Sequence, residues 1–199
     1  MIRTVFIQRK VLELYQRMDA ITFPIQPLNL ISCLSQNCRI LTYQKMADLN
    51  HCPIQDIALM CKSNSGATHY DTEKDRYLIL YNSSMNQGRI LWTICHEIGH
   101  ICAGHLEMIE EAEIAYTDWR EPYSQFESEA DYFAWNVIAP LPIMREMGVR
   151  KPSDIQITYG LSAQATALQY DRYVKWCKGH IKTAWENNML REFRHKFKQ

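Results

Sequence analysis

Five residues at 96 to 100, His96-Glu97-Ile98-Gly99-His100, carry the side chains that metal-assisted hydrolysis needs. Two histidines four apart on a helix project from one face, so both imidazoles can reach a single Zn²⁺ at about 2.0–2.1 Å. Glu97 follows the first histidine by one residue, which turns it about 100° around the helix axis. It cannot join the pair as a ligand, but it can hold the attacking water and take its proton as a general base.

A catalytic zinc site uses three protein ligands and keeps a fourth position open, so this pair requires a third ligand. Glu127-Ser128-Glu129-Ala130-Asp131 supplies the candidates. Glu127 and Asp131 share a helical face, so Glu127 can ligate while Asp131 accepts the outer N–H of a ligating histidine. Glu129 points about 200° away from Glu127 and comes second as a ligand. His105 follows Gly104, where the helix should already have ended, and comes third. Otherwise His105, like His51, His69, His180 and His195, reads as an ordinary polar or partly buried histidine. Tyr70 and Tyr123 could orient a substrate, but no spacing selects them. Zinc is the expected metal, and two histidines with a carboxylate also suit manganese.

The elements that must position these groups follow from periodicity. Ile90, Leu91, Ile94, Ile98 and Ile101 form an apolar stripe, which predicts a helix from Gly88 to Gly104. A second helix is predicted from about Ser124 to Ala139, closed by Pro140 and Pro142. The acidic stretch 107–121 lies between them. Upstream, an amphipathic helix over Thr4 to Met18 stops before Pro24 and Pro27. A short helix from Leu28 to Leu34, a strand near Arg39 to Tyr43 and two short helices, Gln44 to Asn50 and Pro53 to Cys61, follow. Extended segments at Ala67 to Tyr70 and Tyr77 to Tyr81 flank a polar connection, and one small, mostly antiparallel sheet is expected. From Ser153 to Cys177 the pattern reads as a short helix, a stop at Gly160, an N-cap at Ser162 and a second helix, a helix-turn-helix shape. The second of these helices carries little positive charge, so domain packing or protein docking is favoured over DNA binding.

Composition sets the class. A chain of 199 residues that is 47% apolar can bury a core of its own. Its seven cysteines are odd in number, form no Cys-x-x-Cys pair and read as reduced core residues. The N-terminal segment places a charge every few residues, unlike a signal peptide, and no stretch approaches about 18 apolar residues, so a cytoplasmic protein without membrane contact is expected. Net charge is zero, yet Glu97 to Asp131 holds ten acids against one base, and Arg172 to Gln199 holds eight bases against two acids.

Taken together, these residues resemble the ImmA/IrrE-type metallopeptidases. The resemblance is carried by Phe23-Pro24 and Pro27-Leu28 after the first helix, by YLILYN at 77–82 and by Arg89-Ile90-Leu91-Trp92-Thr93 leading into HEIGH. It continues through ESEADYFA at 127–134 and the segment DIQITYGLS, covering roughly residues 1 to 178. It implies an α+β, mainly helical zincin-like peptidase, followed by a small helix-turn-helix-like appendage. The corresponding division is residues 1–145 for the metallopeptidase domain, 146–178 for the appendage and 179–199 for a basic tail. The implied activity is cleavage of a helix-turn-helix transcriptional repressor, which relieves repression of a mobile element or stress genes. A non-proteolytic regulator that binds a repressor or DNA, or a partner of toxin-antitoxin type, are the alternatives.

Overall fold

A computed structural model describes residues 1–108, 120–179 and 181–197. The acidic stretch lies largely outside them, as does His180. The fold is α+β and mainly helical, with one three-stranded sheet.

The first helix, α1 (Thr4–Arg17), buries Ile7, Val11, Leu14 and Tyr15, whose spacing of four, three and one puts them on a single stripe. It is followed by α2 (Pro27–Ile31), β1 (Cys38–Thr42), α3 (Tyr43–Asn50) and α4 (Ile54–Met60). Thr42 caps α3 by accepting from the Lys45 N–H at 3.0 Å, and Pro53 sits one residue before α4 rather than inside it.

β2 (Gly66–Asp71) and β3 (Arg76–Tyr81) form the expected hairpin and pair antiparallel. β1 pairs parallel to β3 on its other side, giving the order β1-β3-β2. The sheet is therefore mixed rather than mostly antiparallel. A tight hairpin turn enforces an antiparallel pair, whereas α3 and α4 give the chain enough length after β1 to cross over and return in the same direction. β2 is left as an edge strand.

α5 (Gln87–Ala103) starts at Asn86, whose side chain accepts from the Arg89 N–H, and ends at Gly104 in the left-handed region, φ 68°. α6 (Arg120–Ile138) runs across it and buries Ala130, Phe133, Ala134 and Val137. Gly99 makes this crossing close, because a Cβ there would lie 3.1 Å from the Ala130 Cα and 3.2 Å from the Phe133 Cβ.

After α7 (Leu141–Glu146) come α8 (Pro152–Tyr159) and α9 (Ala163–Gly179), joined through Gly160 at φ 68° in the helix-turn-helix shape. Ile155, Tyr159, Leu161 and Tyr173 are buried in the same cluster as the α1 and α5 residues. The last helix, α10 (Ala184–Lys196), lies within the residues read as a basic tail. Thr183 and Glu186 close a capping box, and Met189, Leu190 and Phe193 are buried. The charge that suggested a tail fastens this helix down: Arg194 pairs with Glu146 at 2.7 Å, and the Lys196 ammonium donates to the Tyr15 and Gln16 carbonyls. Among the described residues no helix is long and apolar enough to cross a membrane.

Candidate metal centre

α5 and α6 bring the sequence-selected residues to one point. His96 Nε2 lies 3.1 Å from His100 Nε2 and 3.2 Å from a Glu127 carboxylate oxygen, and His100 Nε2 lies 3.4 Å from the other oxygen. A tetrahedral zinc ion with ligands at about 2.0–2.1 Å spaces its donor atoms about 3.3 Å apart. Two imidazole nitrogens and a carboxylate at this separation fit such an ion, and they are the one such metal-ligating cluster found among the described residues.

The neighbours bear on each ligand differently. His96 Nδ1 meets Asp131 Oδ1 at 2.9 Å, the outer partner that the four-residue spacing predicts. Burial disfavours the His96 cation, but the hydrogen bonds to Asp131 and Glu127 outweigh it and raise its pKa to about 9. Hydrogen bonds from His100 and His96 hold Glu127 well below the usual carboxylate range.

Glu97 is buried beside the ligands, and the Thr68 hydroxyl of β2 donates to its Oε2 at 2.7 Å. One carboxylate oxygen is thereby held by the sheet, and the group lines the same cleft as the three donors. No spacing in the sequence pointed to Thr68, which sits 29 residues upstream on another element.

Glu129, the second candidate for the third ligand, turns away from the cluster. Its side chain is 0% exposed and is gripped by Arg3, whose Nε and terminal amine approach one oxygen at 2.9 and 2.6 Å. Burial raises its pKa, and the bonds from Arg3, His105 and Gln125 outweigh this and lower it to about 2. His105 is also 0% exposed, with Nδ1 3.0 Å from His100 Nδ1 and Nε2 3.1 Å from Glu129. It lies outside the cluster of three donors and is not an isolated histidine. The sequence held one signal for it: a glycine C-cap directly before it, which lets the chain double back beneath the second ligand. His51 and His195 stand apart from the cluster, His69 of β2 approaches Cys61, and the side chain of Tyr123 lies outside the described residues. The Tyr70 hydroxyl bonds Asp75.

A cleft of about 1160 Å³ opens over the cluster. Gly66 to Thr68 of the edge strand form one side, Trp92 and Trp135 another, and Ala165 and Leu168 of α9 close the end.

Residues 54–169, more than half of the chain, match the IrrE N-terminal-like domain, a peptidase family. The chain belongs to that family. No curated relative matches it. Membership makes the protein a peptidase of metallopeptidase type, and the cluster of His96, His100 and Glu127 supplies a place where its metal could sit.

Proposed function

We propose that the protein is a zinc-dependent endopeptidase that cuts a helix-turn-helix transcriptional repressor in the cytoplasm and thereby relieves repression. The observation that carries the enzymatic part is the convergence of a three-donor cluster and the buried Glu97 at the floor of a cleft bordered by an unpaired strand edge. The choice of a repressor as substrate rests on the resemblance over HEIGH, ESEADYFA and DIQITYGLS.

His96, His100 and Glu127 would hold the zinc, which when bound would supply Lewis acidity to the water and the scissile carbonyl. Glu97 takes the proton of the attacking water and delivers it to the leaving amine. Thr68 keeps the base in place. Among the described residues no further strand pairs with the outer edge of β2, and its backbone can hold an extended substrate segment alongside the base. Asp131 fixes the tautomer of His96, so that Nε2 faces the cluster.

The test is Glu97→Gln, which keeps side-chain volume and all three ligands. Zinc content stays near one per chain, while cleavage of a co-expressed repressor falls by about 10²–10⁴, roughly 3–5 kcal/mol of barrier. Fragments are followed by mass spectrometry. If the variant relieves repression as fully as the parent and no fragment ever forms, the protein acts by binding instead.

A further inference from the structure

Behind His100 lies a chain of polar groups, where among the described residues His96 Nδ1 meets a single carboxylate, Asp131. It runs from His100 Nδ1 to His105 Nδ1 at 3.0 Å, from His105 Nε2 to Glu129 Oε2 at 3.1 Å, and from Glu129 to Arg3. Its members come from residues 3, 105 and 129, three separate stretches of the chain. His105 and Glu129 are both fully buried.

The proton positions along this chain follow from counting donors. With Nε2 of His100 given to a metal, its ring proton must sit on Nδ1. His105 Nδ1 must then accept, which puts the His105 proton on Nε2, facing Glu129. Glu129 takes it as an anion, because its two oxygens already accept from the Arg3 backbone N–H, the Arg3 guanidinium and the Gln125 amide. Once Nε2 of His100 is a ligand, each link admits one arrangement. The rings have little freedom to leave it, since His105 stacks on Phe126 at 4.6 Å between centroids and meets His100 edge-on at 5.0 Å.

We infer that His105, Glu129 and Arg3 form a buried positioning relay that locks the tautomer and ring orientation of His100 and so sets the affinity of the centre for its metal. This rests on the reading of His96, His100 and Glu127 as metal ligands. A carboxylate at the far end of a histidine chain makes the near nitrogen a better ligand, and loss of such an outer partner typically costs about 10–100-fold in metal affinity. Glu129, passed over as a ligand, acts on the metal through two imidazoles.

The experiment measures Zn²⁺ affinity by chelator competition, and the visible spectrum of the Co²⁺-loaded protein, for the full-length parent, His105→Leu and His105→Gln. Circular dichroism establishes that each is folded. His105→Leu binds Zn²⁺ about 10–100-fold more weakly with a shifted Co²⁺ band. His105→Gln recovers most of the loss, because its amide can accept from His100 and donate to Glu129. Two-bond proton–nitrogen correlation on the zinc-loaded parent places the His105 proton on Nε2 and the His100 proton on Nδ1, a result that needs no variant to fold. A His105 proton on Nδ1, or a folded His105→Leu with parental Zn²⁺ affinity, overturns the relay. A parent that binds no Zn²⁺ overturns the metal reading itself and takes the relay with it.

Discussion

The two histidines of the centre are held from behind by unlike means. Among the described residues His96 Nδ1 leans on Asp131, a carboxylate whose side chain is 52% exposed at the rim of the cleft. His100 leans on His105 and Glu129, both 0% exposed, with Arg3 closing the chain. Each support can fix a ring by taking its outer N–H. The exposed one is nearly independent of folding, because water can replace what Asp131 offers. The buried one is part of the fold, since removing any member leaves a polar group in the core without its partner.

That difference predicts unequal costs. Glu129→Ala strands the Arg3 guanidinium and the His105 N–H, and is expected to destabilise the metal-free protein by about 3–5 kcal/mol. Asp131→Ala is expected to cost less than about 1 kcal/mol. Urea unfolding of the two variants side by side gives the comparison, and equal losses would dissolve it. The pH dependence has a definite sign. Because the Glu129 carboxyl is depressed to about 2, its contribution is fully present above the ordinary carboxylate value near 4.5 and is lost as pH falls toward 2. Glu129→Ala should therefore lose less of its remaining stability than the parent over that acid window.

The same contrast explains what was legible in the sequence. The His96 support was readable because a helix converts spacing into position: four residues separate Glu127 from Asp131 and His96 from His100, and the α5–α6 crossing needed only to bring the two faces together. The His100 support depends on a left-handed turn at Gly104 and on the arrival of Arg3 from the opposite end of the chain. Neither is periodic. Helices of the fold were legible for the same reason, from the stripe of α1 to the stripe of α5. The parallel pairing of β1 was not, because strand direction depends on the path of the connection rather than on the strand's own residues. α10 was hidden by counting charge: eight bases outweighed the Met189, Leu190 and Phe193 face that fixes it to the core.

At intermediate magnitude, Asp131→Ala is expected to weaken Zn²⁺ binding by about 10–100-fold while leaving the unfolding midpoint of the metal-free protein close to the parent's. Chelator competition and urea unfolding on one preparation separate the two quantities. A large loss of stability with unchanged affinity would reverse the roles assigned to the exposed and buried supports.

The smallest expected effect, about tenfold per pH unit, tests the electrostatic side of the same contrast. In the metal-free protein burial opposes the charged form of His96, but Asp131 and Glu127 outweigh it and raise the pKa to about 9. A metal needs the neutral ring, so below that value each bound ion displaces one proton. Zn²⁺ affinity, corrected for the chelator's own titration, should then rise about tenfold per unit from roughly pH 6.5 to 8.5 and level off near 9. The same shift stabilises the metal-free fold, fully below the ordinary histidine value near 6.5, and this contribution is lost as pH rises through about 9. On the other side, burial outweighs Glu129 and lowers the His105 pKa to about 4, so the relay exchanges no proton across this window. Asp131→Ala should move the levelling point to lower pH, and His105→Gln should leave it in place. A parental profile already flat above about pH 7 would return His96 to an ordinary histidine and leave geometry as the whole of the difference between the two supports.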